Sequence, residues 1–302
     1  MKRFEQLAII GPTASGKTAL AIAVAKQRDA IILSLDSLAI YKEVDIVSAK
    51  PGKEEQEGIP HYGIDLLSPD EPFDVTTFID LYRRVRQTCK KTGKNLIIVG
   101  GTSFYLKMLL EGVSRLPSLS EEQHAEVMYQ MQNPKNAYEK LVSVDPEYMS
   151  HIPPGDTYRI QKALEVYLAS GEIPSIYFMS NPPQPVIDEP LPLFEIRWER
   201  EVLRRRIRLR TKQMLQEGLI DEIIALEKKY TRSPNCMKAI GIKETLAYLD
   251  GIYTKSVLEE KIAINTGRLA KRQETFNRSQ FKNVVRGELK TITQKLLENV
   301  DK

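Results

Sequence analysis

A glycine-containing turn near the start of the chain carries the most specific chemistry. It consists of Gly11, Pro12, Thr13, Ala14, Ser15, Gly16, Lys17 and Thr18. The turn matches the complete phosphate-binding loop pattern and lies between an apolar run over 7–10 and a helical stretch over 19–26. A buried strand that leads through such a turn into a helix directs backbone N–H groups and the positive helix end at one point. We expect residues 11–18, the phosphate loop, to bind a polyphosphate, with Lys17 at its outer phosphates and the Thr18 hydroxyl as a ligand of Mg²⁺.

Two polar residues follow other apolar runs of the sequence. Asp36 comes directly after the run over 30–35, and Thr102 comes shortly after the run over 95–99. Ligands of a parallel sheet collect at the carboxyl ends of its strands, so we expect both residues to lie beside the phosphate loop. A carboxylate there can accept a proton from a nucleophile that attacks next to bound phosphates. Alternatively, Asp36 caps a helix or a turn, or it serves on the magnesium side of the site.

The end of the third apolar run is informative because it lacks an acidic residue. Many phosphate-loop ATPases use such a residue to help hold magnesium, whereas this run ends in Gly100, Gly101 and Thr102. The sequence therefore disfavours motors and switches that are driven by hydrolysis. Two adjacent glycines also allow another chain or a ligand to approach the backbone closely.

Apolar runs alternate with helical stretches in the first third of the chain, where an amphipathic helix is predicted over 77–91. This alternation predicts an α/β fold with a phosphate-loop-type parallel sheet covered by helices. Residues 113–192 lack strand signals and are expected to form an all-helical insertion. Its helices are predicted over 121–132, 136–142 and 158–168. A returning strand is predicted over 193–198, so that 1–112 is the first part of the core and 193–302 is its return with C-terminal basic helices. The alternative is a separate C-terminal domain after a linker near residue 185.

The densest basic segment lies in a helix predicted around Arg206 and Arg210. On a helical wheel these two arginines fall within or beside the apolar stripe. An inward guanidinium needs an anion, which either a bound diphosphate or a structural Asp or Glu supplies. The outward positions of the same helix are Arg205, Arg208 and Lys212. They are typical of a solvated face, and contact with a nucleic-acid backbone is the alternative.

A second basic helix presents Arg268, Arg272 and Phe276 close to one face. Cations interleaved with an aromatic ring suit an RNA strand whose bases stack while its phosphates are neutralised. The alternative is an ordinary amphipathic helix with Phe276 in the core. Tyr158 and Lys162, in the predicted insertion, combine a basic group with an aromatic neighbour in a similar way.

The composition is that of an ordinary globular protein. With 42% hydrophobic and 28% charged residues among 302, it fits neither a disordered chain nor a membrane protein. The longest apolar runs are too short to span a bilayer, so we expect no membrane partner. Cys89, Cys236 and the three histidines show no disulfide or metal-ligand spacing, which favours a reducing cytoplasm. The net charge of +4 is too small to indicate a nucleic-acid partner by itself.

An ordered set of motifs runs from residue 11 to residue 278. It comprises the phosphate loop, Asp36-Ser37 with Tyr41, residues 49–51, residues 60–61 with 64–65, residues 100–102 with Tyr105, Arg159 with 163–166, Arg206 with Arg210 and Met214, and residues 271–273. Taken together, these motifs resemble the tRNA dimethylallyltransferase family, also called tRNA isopentenyltransferases. The resemblance covers nearly the whole chain. Since no zinc finger follows, we expect the bacterial type.

The resemblance implies an activity and roles for the residues above. A dimethylallyl group would be transferred from dimethylallyl diphosphate to the exocyclic N6 amine of the adenosine 3′ of the anticodon in tRNA. Asp36 would accept the amine proton, with Thr102 hydrogen-bonding near it. The phosphate loop, Arg206 and Arg210 would hold the diphosphate, with Mg²⁺ on Thr18.

The resemblance also implies that the anticodon stem-loop of tRNA is bound, with the adenosine splayed out of the loop. The residues expected to bind tRNA are Asp36, Ser37, Leu38, Ala39, Thr102, His124, Tyr158, Arg159, Ile160, Gln161, Lys162, Arg268, Lys271, Arg272 and Phe276. The sequence departs from the pattern of many family members at Ala39, His124, Lys162, Ile242 and Phe276. We expect a monomer.

Two rival functions fit the same motifs. A small-molecule kinase would bind ATP at the phosphate loop and use Asp36 to activate an acceptor. A non-catalytic, nucleotide-regulated RNA-binding protein would depend on the basic helices and not on Asp36.

Overall fold

The computed structural model describes residues 5–297, which form two compact units. The sheet unit combines the described residues up to Leu109 with those from Ile187 onward, and the helical unit spans Leu110–Val186. The backbone N–H of Ile187 donates to the carbonyl oxygen of Leu109 at 2.9 Å. The chain therefore leaves the sheet unit and returns to it at neighbouring points.

One six-stranded sheet forms the centre of the sheet unit. Its strands are β1 (Gln6–Ile10), β2 (Ala30–Leu35), β3 (His61–Tyr62), β4 (Asn95–Gly100), β5 (Leu193–Ile196) and β6 (Val284–Gly287). Their order is β3-β2-β4-β1-β5-β6, and every neighbouring pair is parallel. The prediction of a parallel α/β fold is confirmed. Because β5 pairs with β1, with Leu193 opposite Ala8, the alternative of a separate C-terminal domain is wrong.

The strands are connected by helices whose bounds are as follows. They are α1 (Lys17–Arg28), α2 (Val75–Thr92), α3 (Ser103–Glu111), α4 (Glu121–Gln130), α5 (Pro134–Val144), α6 (Pro146–Met149), α7 (Thr157–Ser170), α8 (Pro174–Ser180), α9 (Arg200–Gln216), α10 (Leu219–Tyr230), α11 (Ile242–Leu249), α12 (Lys255–Gln280) and α13 (Leu289–Leu297). A 3₁₀ turn over Asn235–Lys238 precedes α11. Within residues 5–297, no helix combines the length and apolarity that crossing a bilayer requires.

Helices cover both faces of the sheet. Leu7 and Ile9 of β1 share one apolar cluster with residues of α1 and with Ile292 of α13. Side chains alternate between the two faces of a strand, so Gln6 lies on the other face. There its Oε1 accepts a hydrogen bond from the Tyr82 hydroxyl of α2 at 2.8 Å. The sheet is buried on both sides, which explains why its central strands read as continuous apolar runs.

The ends of α2 show why the helix lies where the sequence predicts it. The Asp74 side chain accepts a hydrogen bond from the Thr77 N–H at 2.9 Å, which caps the first turn. Gly93 follows the last turn with a left-handed φ of 72°. His61, which follows Pro60, pairs with Ile32 and forms the short strand β3 with Tyr62.

The helical unit contains α4 to α8 and its own core. Val127, Leu141, Ile160 and Leu164 are buried together in one cluster. Three of its helices begin with proline in the first turn, which is the position that tolerates a missing N–H. The prediction of an all-helical insertion is therefore confirmed, apart from an isolated bridge between Val113 and Gln184.

Candidate functional site

The register of the sheet brings three loops to one edge. Ile10 of β1 and Leu35 of β2 both lie opposite Gly100, the last residue of β4. Each strand therefore ends at the same level, and the phosphate loop, Asp36 and Gly101 begin one residue further on. This edge opens into a cavity of about 970 Å³ that is lined by Thr13, Lys17, Asp36, Ser37, Thr102 and Arg210, among others. The structure thus brings these residues together at one edge of the sheet, whereas Thr18 and Arg206 are not among the residues that line the cavity.

The phosphate loop contains a lysine with a lowered pKa and a buried serine hydroxyl without a hydrogen-bond partner among the described residues. Lys17 donates from its Nζ to the Pro12 carbonyl oxygen at 3.1 Å. The pKa of Lys17 is lowered to about 8, chiefly by burial and also by the charge of Arg210, while the Asp36 carboxylate opposes the change. Ser15 is fully buried, and its Oγ has no hydrogen-bond partner among the described residues. A buried cation and a buried hydroxyl without a partner fit a bound anion.

Two arginines of α9 reach the phosphate loop. Arg206 donates from Nε to the Ala14 carbonyl oxygen at 2.7 Å, and its guanidinium lies 4.8 Å from the ring centre of Trp198. Arg210 donates to the Thr13 hydroxyl at 3.2 Å. Neither arginine forms an ion pair with Asp or Glu among residues 5–297, so the alternative of a structural ion pair is wrong. Both guanidinium groups are half-buried without a carboxylate partner, as a diphosphate site requires.

The other face of α9 behaves as the helical wheel predicts. Arg205, Arg208 and Lys212 are exposed, whereas Arg206 and Arg210 are half-buried. Burial lowers the pKa of Arg210, and the nearby Asp36 carboxylate opposes that change. The two sets of cations on one helix therefore differ in environment as well as in direction.

Asp36 acts as a turn residue and also faces the cavity. Its Oδ1 accepts hydrogen bonds from the N–H groups of Leu38 at 2.8 Å and Ala39 at 3.2 Å. Its Oδ2 has no hydrogen bond to any described residue, so one carboxylate oxygen is left to accept a proton. The capping alternative and the catalytic interpretation thus apply to different oxygens of one side chain.

Thr102 fixes the segment that follows Asp36. Its Oγ1 accepts a hydrogen bond from the Ser37 N–H at 3.2 Å, and its own N–H donates to the Leu35 carbonyl oxygen at 3.0 Å. These bonds tie the end of β2 to the loop after β4. Thr102 lines the same cavity as Asp36.

The two glycines at the end of β4, Gly100 and Gly101, are required by close approach, as the sequence predicts. A Cβ at Gly100 would overlap the backbone of Leu35, and a Cβ at Gly101 would overlap the side-chain amide of Gln273. Gln273 belongs to α12 and is part of the motif over 271–273, but the sequence predicts no separate role for it. Its contact with the glycine loop identifies it as a site residue that the sequence prediction missed.

Further parts of the cavity wall were also missed. The segment around Gly241 lines the cavity, including Lys238 and Lys243, whose side chains are exposed. The available signal was a glycine between two lysines, and Gly241 indeed adopts a φ of 95° against the Val47 side chain. Aromatic wall residues were missed as well. They are Phe73, Phe104 and, quoted only as part of the resemblance, Tyr41 and Tyr105.

The residues of the sheet unit expected to bind tRNA have different positions. Ser37, Leu38, Arg268, Arg272 and Phe276 line the cavity. Lys271 is exposed but does not line the cavity, and Ala39 is 3% exposed. The Ala39 side chain is enclosed by protein, so only backbone atoms of this residue remain for contact with RNA.

The helical unit carries the other residues expected to bind tRNA. His124, Tyr158 and Arg159 are exposed. Gln161 and Lys162 both bond to Glu165. Ile160 is fully buried in the core of this unit, which excludes its side chain from contact with RNA. The predicted tRNA contact of the Ile160 side chain is wrong because Ile160 lies on the inner face of α7, whereas its polar neighbours lie on the outer face.

The donor set around Thr18 fits magnesium held largely by a substrate. Thr18 lies in the first turn of α1, is half-buried and forms no side-chain hydrogen bond with a described residue. Residues 5–297 contain no cluster of three His, Cys, Asp or Glu side chains that could hold a metal ion. Mg²⁺ usually keeps several waters and takes few protein ligands together with phosphate oxygens. A single hydroxyl at the end of the phosphate loop, that of Thr18, is compatible with this mode of coordination.

The fold and the cavity are typical of a phosphate-loop enzyme, with the phosphate loop and two arginines on one side and the Asp36 carboxylate on the other. Sequence comparison gives the family: the IPP transferase family matches residues 39–280. Relatives named tRNA dimethylallyltransferase from Sulfurovum sp. (strain NBC37-1) and Sulfurimonas denitrificans are 59% and 56% identical to this chain. The alignments cover 97% of both sequences in the first case, and 92% of this chain and 94% of the relative in the second. The chain belongs to the IPP transferase family, as the resemblance indicates.

Solved structures agree with this assignment. The full-length tRNA isopentenylpyrophosphate transferase from Bacillus halodurans matches with a TM-score of 0.69 at 31% identity, over 97% of this chain and 94% of that one. A eukaryotic dimethylallyltransferase acting on tRNA matches in fold with a TM-score of 0.84 at 24% identity, over 98% of this chain and 77% of that one. Membership of the IPP transferase family supports neither the small-molecule kinase nor the non-catalytic RNA-binding protein.

Proposed function

We propose that this protein transfers a dimethylallyl group from dimethylallyl diphosphate to the N6 amine of the adenosine 3′ of the anticodon in tRNA. The observation that carries the proposal is the cavity at the edge of the sheet. There the phosphate loop faces Asp36 across an open space, and Arg206 and Arg210 beside it pair with no carboxylate of residues 5–297. Relatives that are 59% and 56% identical to this chain are named tRNA dimethylallyltransferase, which supports the proposal.

The reaction forms one C–N bond and breaks one C–O bond. The N6 amine attacks the first carbon of the dimethylallyl group, and the bond from that carbon to the diphosphate oxygen breaks. Asp36 takes the proton that the amine loses, through the Oδ2 that has no other partner. The carboxylate is held toward the substrate because its Oδ1 is fixed by two backbone N–H groups.

The leaving diphosphate gathers negative charge as the C–O bond breaks. Lys17, Arg206 and Arg210 stabilise that charge from fixed positions, since each is held by an oxygen of the phosphate loop. A bound Mg²⁺, held by the Thr18 hydroxyl and diphosphate oxygens, would neutralise further charge on the leaving group. The buried Ser15 hydroxyl offers one more hydrogen bond to a diphosphate oxygen.

The acceptor is an RNA because the cavity is rimmed by cations with an aromatic ring among them. Arg268, Arg272 and Phe276 lie on one wall, and Lys238 and Lys243 lie in the segment before α11 and at its first turn. Such a rim suits a splayed nucleotide with its phosphates. We propose the cytoplasm as the compartment, since tRNA is modified there.

The test is a transfer assay with the full chain. Isotope-labelled dimethylallyl diphosphate and unmodified tRNA are incubated with the protein and magnesium, and the tRNA is digested to nucleosides for mass spectrometry. The expected result is an adenosine that is heavier by one five-carbon group. A tRNA with guanosine at the target position is the matched control and should stay unlabelled. Absence of label from the adenosine tRNA, with folded protein, contradicts the proposal.

A second arm of the assay separates the rival enzyme. Labelled ATP replaces the prenyl donor, together with a pool of small alcohols and phosphate acceptors. We expect no transfer of label. Label that moves from ATP to a small molecule, without any prenyl transfer, would support a kinase instead.

A further inference from the structure

Gln273, in the last third of α12, connects two loops of the site. Its Oε1 accepts a hydrogen bond from the Thr13 N–H at 2.9 Å, and its Nε2 donates to the Gly101 carbonyl oxygen at 3.0 Å. The donor and acceptor of one amide are thus both used. Among the described residues, no other side chain hydrogen-bonds to both the phosphate loop and the loop after β4.

The position of the amide is tightly determined. Gly101 has no side chain at the point where the Gln273 amide lies, and a Cβ there would overlap Nε2. Thr102, the next residue, accepts a hydrogen bond from the Ser37 N–H. A continuous path of bonds therefore runs from Thr13 of the phosphate loop through Gln273 to the backbone next to Asp36.

The helix that carries Gln273 is fixed one turn further along. Asn277 is fully buried, and its Nδ2 donates to Oε1 of Glu195 at 3.2 Å. Glu195 is fully buried in β5, where it pairs with Ile10, the residue before the phosphate loop. The Nε of Arg286 donates to the other oxygen of Glu195 at 2.8 Å. This network holds α12 against β5, which is the neighbour of β1, the strand that leads into the phosphate loop.

We propose that Gln273 is a positioning residue that sets the distance between the diphosphate site and the base Asp36; this inference rests on the proposed function. The leaving group is held by the phosphate loop, whereas the base is held by the ends of β2 and β4. Transfer requires the attacking amine, the reacting carbon and the leaving oxygen to be aligned, and a displacement of about 1 Å can cost on the order of 100-fold in rate. One amide that bonds to both loops fixes that alignment.

The first test replaces the amide by groups of similar size. Gln273→Met removes both hydrogen bonds, and Gln273→Glu keeps an acceptor for Thr13 but sets a carboxylate oxygen against the Gly101 carbonyl oxygen. For both variants we expect kcat to fall roughly 10- to 100-fold and the KM for dimethylallyl diphosphate to rise, with tRNA affinity and Tm close to wild type. Gln213→Met is the control, since Gln213 is exposed on α9 and bonds only to Glu217.

The split between kinetic constants distinguishes positioning from folding. A merely structural role would lower Tm and reduce kcat in proportion to the folded fraction, while the KM for the prenyl diphosphate stays unchanged. That pattern overturns the inference, and so do wild-type kinetics in both variants.

A double-mutant cycle with Gly101 tests the contact itself. Gly101→Ala introduces a Cβ that displaces the Gln273 amide, so we expect it to lower kcat about as much as Gln273→Ala does. In the Gln273→Ala background the same methyl group has room, because its next nearest neighbour is the Gly11 carbonyl oxygen at 3.8 Å. We therefore expect the double variant to be no slower than Gln273→Ala alone. Effects that simply multiply would overturn the inference.

Failure of this inference is separable from failure of the proposed function. If the wild-type protein transfers no prenyl group, the proposed function fails. The same variants are then measured by calorimetric titration with inorganic pyrophosphate, because the phosphate loop should bind it whatever the acceptor. Weaker pyrophosphate binding by Gln273→Met than by Gln213→Met supports the positioning role of Gln273, and equal binding contradicts it.

Discussion

The two walls of the cavity are held in place by different means. The leaving-group wall consists of the phosphate loop with Arg206 and Arg210, and it depends on long side chains that reach over from α9. The acceptor wall consists of Asp36, Ser37 and Thr102, and it depends on short bonds between neighbouring strand ends. Under the proposed function, diphosphate affinity would be spread over several cations, whereas proton removal would depend on one carboxylate. Substitutions should therefore have graded effects on the first wall and an abrupt effect on the second.

The largest effect is expected from the acceptor wall. Asp36→Asn keeps the size of the side chain but removes the base, so kcat should fall about 100- to 10,000-fold. Single-turnover prenyl transfer measures this, and a filter-binding assay should give nearly unchanged tRNA affinity. Asp70→Asn, at an exposed position outside the cavity, is the matched control. Turnover close to wild type in Asp36→Asn would remove this residue from the role of base.

A smaller effect is expected from one cation of the leaving-group wall. Arg210→Met should lower kcat/KM for dimethylallyl diphosphate about 100-fold, since one of several groups that stabilise the leaving charge is lost. Steady-state kinetics with varied donor concentration measures the change. Arg208→Met, on the exposed side of the same helix, should change it less than about 2-fold, as surface substitutions usually do little. Equal losses in the two variants would mean that the direction of the side chain does not matter.

The pH dependence sharpens the comparison further. The pKa of Lys17 is lowered to about 8, so its positive charge is present below that pH and lost above it. Affinity for inorganic pyrophosphate should therefore weaken by up to about 10-fold per pH unit as the pH rises from about 8 to about 9.5. Calorimetric titration at several pH values measures this. Lys17→Met is the control that removes the part due to Lys17 and leaves the titration of pyrophosphate itself. An identical slope in both proteins would contradict the assignment of the titrating group to Lys17.

The smallest effect is expected from a hydrogen bond within the acceptor wall. Thr102→Val keeps the shape of the side chain but removes the acceptor of the Ser37 N–H, so kcat should fall about 3- to 10-fold. Thr102→Ser retains the hydroxyl and should recover most of the rate. Both are measured by single-turnover transfer at saturating donor. Loss in Thr102→Ser as large as in Thr102→Val would point to the methyl group instead of the hydroxyl.

Much of the fold could be predicted because it depends on local patterns. The strands β1, β2 and β4 are continuous apolar runs, and all three are buried along their length except for Ser34. β6 was missed because every residue from Val284 to Gly287 is only half-buried, which leaves no clear apolar run. β3 has only two residues, and it exists because it pairs with β2.

The same distinction applies to the site. The phosphate loop and Asp36 are recognisable because they lie next to strands in the sequence. Gln273 lies 260 residues from Thr13, so its bond to the phosphate loop depends on how α12 packs. Lys238 and Lys243 reach the cavity through a 3₁₀ turn and the positive φ of Gly241, neither of which has periodicity that a sequence pattern could reveal. The sequence pattern therefore predicts the site residues that directly follow a strand. Site residues from distant parts of the chain depend on how the helices pack.

The hydrogen bond between Leu109 and Ile187 has a consequence for how such a molecule can change. Because the exit and re-entry points touch, the intervening 110–186 can be lengthened, trimmed or exchanged without moving any strand of the sheet. If a short glycine linker joins Leu109 directly to Ile187, the protein should lack the helical unit but still bind pyrophosphate. Evolution can thus change the helical unit while the sheet unit keeps the residues of the proposed prenyl transfer.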